Sequence, residues 1–253
     1  MHQWAETPFS LIRETGLNSR PDIPHQHPAV RLAKNQALTH NVILRSLNAS
    51  YRQCLAIKPG TTETQDFLFF NQNLCQVLAI HHDVEEEYLF PEIQRLSGNE
   101  TIMDVNIQEH KAFHDGLDRF EEYITNISPA DFRGEELQQL LMGFGKAVET
   151  HLHHEIATLL DLHVYDAGEV TKMAKGMHDR TMERSDKFRH FPLFIGCADR
   201  SFRLDGQVES FPQIPYFVLW IAKLFFEPRH AGAWRFNPST TFGQPRACAV
   251  ELA

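Results

Sequence analysis

The chain has no Cys-x-x-Cys pair. Its four cysteines, Cys54, Cys75, Cys197 and Cys248, stand far apart in 253 residues. That spacing argues against a thiolate zinc site or a disulfide framework and fits reduced thiols. Long apolar runs are also missing. The longest, Tyr216 to Phe226, lies between Pro215 and Pro228, contains Lys223, and is too short to span a bilayer. The N-terminus, Met1 to Pro8, has neither the basic start nor the apolar core of a secretory signal. Positive charge is scarce, with 24 Lys and Arg against 33 Asp and Glu, a net −9 that argues against a general nucleic-acid binder. The basic run Lys172, Lys175, Arg180, Arg184, Lys187 and Arg189 is interspersed with acids and reads as a solvated face. A cytoplasmic protein with neither membrane nor nucleic-acid partner is expected.

What is abundant is histidine. There are 15, clustered rather than scattered. A hydrophobic content of 42% is enough for a proper core, so the clusters belong to a folded chain. Residues 1–27 are interrupted by Pro8, Gly16, Pro21 and Pro24 and read as an irregular N-terminal arm. Pro28 suits the first turn of a helix. From Ala29 to about Ile57, Ala33, Ala37, His40, Ile43, Leu44, Leu47 and Tyr51 recur at helical spacing. A second helix, capped near Thr61 to Thr64, carries Phe67, Phe70, Leu74, Val77, Leu78, His81, Glu85, Tyr88 and Leu89 to about Leu96, with Pro91 expected to kink it. A third runs from about Glu100 to Ile127, with Met103, Ile107, His110, Phe113, His114, Leu117 and Ile124 on its inner face. Ser128 or Asp131 is a candidate cap for the fourth, about Phe132 to His163, which offers Leu140, Leu141, Phe144, Val148, His151, Glu155, Leu159 and Leu162. Four such segments joined by short breaks predict an all-α, up-down-up-down four-helix bundle over residues 28–165. Residues 166–253 are rich in Phe, Pro and Gly and are expected to wrap the bundle, with a short helix near 215–227.

Within the four apolar stripes the polar exceptions are His40, His81 with Glu85, His110 with His114, and His151 with Glu155. Each pair is spaced i,i+4, so both members leave the same helix face. Burying such groups without partners costs several kcal/mol each, roughly, so a shared metal accounts for all seven together. Seven ligands without a thiolate exceed a structural zinc site. Two carboxylates able to bridge, with five histidines at terminal positions, suit a pair of iron ions, with manganese as the alternative. Three histidines on one ion and two on the other leave one position open to dioxygen or peroxide.

The run His81 to Pro91, with His110-x-x-x-His114, His151-x-x-x-Glu155 and His40 ahead of them, resembles the hemerythrin-like HHE cation-binding family. The resemblance covers about residues 30–163 and implies a four-helix bundle with a non-haem di-iron centre. It implies His110, His114 and His151 on one iron and His40 and His81 on the other. Glu85 and Glu155 would bridge, together with an oxo or hydroxo group. Oxygen-carrying members place an aspartate five residues after the fourth-helix histidine. This chain has Glu155 at four, which weighs against simple oxygen carriage.

His82, Glu86, Glu87, His153 and His154 are expected on other faces, at the surface or behind the ligands, and Glu109 and Tyr88 to be structural. His82 and Glu86 would replace His81 and Glu85 only if the helix register were shifted by one. The expected activity is dioxygen- or peroxide-dependent oxidation of a small organic molecule. The alternative is an oxygen, nitric-oxide or iron sensor or iron-binding protein without turnover.

Overall fold

Pro28 opens the first long helix, α1 (Pro28–Gln53), with the His27 ring accepting the Ala29 N–H at 3.2 Å. The computed structural model describes residues 4–250 and is mostly helical. Thr61 caps α2 (Thr62–Val84) through reciprocal bonds with Thr64. The helix does not break at Pro91. It widens into a π-turn (Glu85–Leu89) and resumes as α3 (Phe90–Ser97). Pro91 has no N–H to continue the α ladder, and the Phe90 N–H reaches back five residues to the Glu85 carbonyl. The expected kink is thus absorbed one turn earlier, at Glu85.

The third long segment, α4 (Asp104–Asn126), starts later than its spacing predicted, after a run of turns. The fourth, α5 (Gly134–Asp161), has no side-chain cap. Ser128 and Asp131 instead bond each other within the preceding turn at 2.6 Å. Gly134 is required there, because a Cβ would fall 2.3 Å from the Cys54 carbonyl oxygen. These helices pack as a ring: α1 on α2 and α5, α2 on α4, and α4 on α5. Phe67, Phe70, Leu74, Phe120, Leu141 and Phe144 fill it. Each such side chain contributes roughly 1.5–3 kcal/mol on burial.

α1 is buried nearly all round, which its sequence does not suggest. Its outward polar residues hold the flanking segments. Asn41 bonds the Ile12 backbone N–H and carbonyl at 2.7 and 2.8 Å, and Asn48 bonds Phe9 in the same way at 2.9 and 2.8 Å. Phe9, Leu11, Ile12, Leu17 and Ile23 of the arm are thereby buried. Arg45 donates to the Cys197 carbonyl at 2.8 Å and to Ser239 Oγ at 2.9 Å.

The C-terminal segment begins with α6 (Ala167–Arg184), capped by Asp166, with Val170, Met173 and Met177 buried against α1 and α2. It continues through α7 (His190–Cys197), a short hairpin of β1 (Arg203–Leu204) and β2 (Gln207–Val208), α8 (Tyr216–Ile221) running into a second π-turn (Ala222–Phe226), and α9 (Ala231–Trp234). The hairpin turn residue Asp205 accepts from the Thr15 N–H and hydroxyl at 2.7 and 2.8 Å, tying this segment to the arm. No described helix is long and apolar enough to cross a membrane. All four cysteines are free thiols, and burial pushes Cys54, Cys75 and Cys197 up to about 12. Neither donor group found among the described residues includes one of them.

Candidate metal centre

The apolar stripes of α1, α2, α4 and α5 carry their polar exceptions to one level. There they form two donor groups sharing one carboxylate. His82, Glu85, His110 and His151 make one; His40, His81, Glu85 and Glu155 make the other. Within each group the donor atoms lie within 4.8 Å of one another, and all seven residues are buried.

In the first group His110 Nε2 and His151 Nε2 are 2.9 Å apart, and they approach Glu85 Oε2 to 3.6 and 3.9 Å. The His82 ring sits beside them, its centroid 4.5 Å from that of His110 and 5.5 Å from that of His151. In the second group His81 Nε2 is 3.0 Å from Glu85 Oε1, and His40 Nε2 is 3.2 Å from Glu155 Oε2. These approaches lack hydrogen-bond geometry. His40 Nε2, His81 Nε2, both nitrogens of His82, Glu85 Oε2 and both oxygens of Glu155 are buried without a hydrogen-bond partner. So many orphaned donor atoms converging from separate helices is costly unless a cation sits among them.

The tautomers are set from behind. His40 Nδ1 donates to the Leu152 carbonyl at 2.7 Å, leaving Nε2 with its lone pair aimed inward. His110 Nδ1 donates to Glu86 Oε1 at 2.7 Å. His151 Nδ1 faces Glu109 Oε2 at 3.4 Å, and the other Glu109 oxygen accepts from exposed His154 at 2.6 Å. Gln36 donates to Glu85 Oε1 at 3.0 Å. Partners of this kind orient metal-binding imidazoles and raise their basicity.

Charge points the same way. Burial pushes His81 down to about 3 and His82 well below its ordinary value, so both stay neutral and ready to ligate. For Glu85 burial works upward, but the surrounding His81, His110 and His151 imidazoles hold its carboxyl well below the usual range. Burial would lower His151 too, yet Glu109 and Glu85 carry it up to about 9. A buried pocket that draws a proton onto an imidazole is short of positive charge. Oxygen and imidazole donors without sulfur suit iron or manganese.

His40, His81, Glu85, His110, His151 and Glu155 come together, with Glu155 placed in the His40–His81 group. His114 does not. Its side chain is 71% exposed and lies 3.2 Å from Asp118 one turn on. Its place is taken by His82, which was expected on another face. The reason is helical phase. The α4 residues that face inward are Asn106, His110, Phe113, Phe120 and Ile124, a stripe of alternating three- and four-residue steps that passes through 113 and leaves 114 roughly 100° away. Phe113 lies against His82 instead, ring centroids 4.7 Å apart. On α2, His81 and His82 straddle the line leading to Glu85, so each serves one side of it. The adjacent pair followed three residues later by a carboxylate was the available signal.

Glu86 turns to His110 rather than entering a group, and His153 holds the arm through the Ser10 carbonyl at 2.9 Å. Glu87 pairs with Arg184, and Tyr88 lies under the Arg180 guanidinium, 3.7 Å from its ring centroid.

Residues 34–162 match the family model of the hemerythrin HHE cation binding domain. The dimeric xanthone biosynthesis cluster protein R11 of Cryptosporiopsis sp. (strain 8999) is 35% identical over 222 residues, spanning 88% of this chain and 84% of that relative. No solved structure gives a significant match.

Proposed function

The chain belongs to the hemerythrin HHE cation-binding family, and we propose that it is a non-haem di-iron protein that binds and activates dioxygen or peroxide to oxidise a small organic molecule. The carrying observation is the pair of buried donor groups joined through Glu85. We read the ring of α1, α2, α4 and α5 as the up-down-up-down bundle of that family. When bound, a pair of irons, or manganese as the alternative, supplies electrons and an open position for dioxygen or peroxide.

The chain's own residues do the rest. Glu85 spans both positions, with Gln36 orienting one of its oxygens. His82, His110 and His151 supply three nitrogens to one position. His40, His81 and Glu155 would complete the other, with one imidazole fewer and one carboxylate more. Exposed His154 bonds one oxygen of Glu109, and the other lies 3.4 Å from His151 Nδ1, which places a carboxylate able to hold a proton between solvent and that imidazole. Kinship to a protein of a dimeric xanthone biosynthesis cluster supports an aromatic organic substrate.

Metal analysis of the purified protein is expected to give two irons per chain. Stoichiometric zinc alone would remove the oxygen chemistry. Anaerobic reduction followed by oxygen, watched by absorbance and an oxygen electrode, is expected to give oxidation that returns no oxygen on degassing. Reversible uptake would instead mean a carrier or sensor.

A further inference from the structure

The α8 helix and the π-turn after it are apolar on both sides. Leu219 and Ala222 point inward and are buried with Ile195. Tyr216, Phe217, Trp220, Ile221, Leu224 and Phe225 point outward, and all are exposed. The inner contacts lock the rotation of the segment, so the outer residues cannot turn in. A contiguous exposed face of six large apolar side chains on a water-soluble surface calls for an occupant.

The surrounding charge says which. The one charged residue within the face is Lys223. The Arg200 guanidinium lies 5.3 Å from the Tyr216 ring centroid. Phe188 packs edge-on to Phe226 at 5.3 Å and carries both Arg229, at 3.6 Å, and Lys187, at 5.2 Å, over its ring. The nearby acids are already engaged: Glu227 by Lys223 at 2.8 Å and Thr241 at 2.5 Å, and Asp186 by the backbone N–H groups of Phe188 and Arg189 at 2.6 and 3.1 Å. Lys187, Arg200 and Arg229 make no ion pair among the described residues, so the face is rimmed by three unpaired cations on a chain of net charge −9.

We infer that this face docks on an anionic phospholipid surface. Aromatic and aliphatic side chains enter the boundary between headgroups and acyl chains, while Lys187, Arg200 and Arg229 meet the phosphates and carboxylates. Tyr and Trp suit that boundary, being apolar in body and polar at the tip. The segment lies along the surface for about 16 Å, at about 1.5 Å per residue, and does not cross it. A second copy of the chain fits less well, because two-fold pairing sets the basic rim against itself. The sequence excludes only spanning; the outward orientation of these side chains is a tertiary result. The inference does not depend on the metal reading.

The test is flotation of the full chain with phosphatidylcholine vesicles, with and without phosphatidylserine. Binding to the anionic vesicles is expected, falling as salt rises. Trp220→Ser with Phe225→Ser should weaken it at least roughly tenfold, with iron content and circular dichroism unchanged. Lys187→Glu with Arg229→Glu should abolish the preference for phosphatidylserine. Absence of flotation with either vesicle overturns the proposal, as does equal binding to both. A concentration-dependent dimer in sedimentation velocity, lost in the Trp220→Ser, Phe225→Ser variant, would assign the face to a second copy instead.

Discussion

The two donor groups share Glu85 yet are supported differently. The His82–His110–His151 group is backed by carboxylates, Glu86 behind His110 and Glu109 behind His151, and both reach toward solvent. The His40–His81–Glu155 group is backed instead by a main-chain carbonyl, that of Leu152 behind His40. A carboxylate behind an imidazole makes it a stronger donor than a carbonyl does. One group is thus rich in well-supported nitrogens, and the other has one imidazole fewer and one carboxylate more.

Removing what the halves share should have the largest effect. Glu85→Ala is expected to lose both irons, from about two per chain to near none, by metal analysis; retention of one full equivalent would show that the halves are independent. The next variants break one half only. His82→Ala should drop iron from about two to about one, whereas His114→Ala should leave it unchanged. If the His114 variant loses iron and the His82 variant does not, the helical phase assigned to α4 is wrong. Glu109→Gln keeps the shape but removes the charge behind His151, and should weaken iron binding in that half by roughly 10–100-fold in a chelator competition. Equal weakening of both equivalents would argue against the asymmetry. Gln36→Leu, which deletes one hydrogen bond to Glu85, should cost about 1 kcal/mol in chemical denaturation and leave the iron count intact. A loss of iron there would promote Gln36 from orienting Glu85 to holding it in place.

Much of the bundle was legible because its signals are periodic and local. Pro28 and Thr61 begin helices for reasons confined to a few residues, and the stripe from Phe67 to Glu85 was readable as one face. His82 and His114 were not assigned correctly, because each sits one residue from a stripe and a helix turns by about 100° per residue. Choosing between 113 and 114 required the whole run from Asn106 to Ile124. The π-turn compounds this. Its cause, Pro91, was visible, but its location at Glu85 follows from how the ladder recovers around the missing N–H.

The polar residues of α1 show a different limit. Asn41, Arg45 and Asn48 lie outside the apolar stripe of α1, and only long-range contacts reveal that they bind the backbones of the arm and the C-terminal segment. The same holds for the aromatics from Tyr216 to Phe225, whose composition does not say which of them the fold buries and which it leaves outside.

By itself the sequence determined the helical class, the positions of the four long helices and the presence of a buried, sulfur-free cluster of imidazoles and carboxylates, because each follows from periodicity and from the cost of desolvating unpaired polar groups. Only the tertiary structure decided which of two neighbouring histidines enters the cluster, which carboxylates stand behind the ligands, and which aromatic face remains open to water. Those outcomes depend on the phase of one helix against another, and side-chain direction is set by packing across the chain rather than along it.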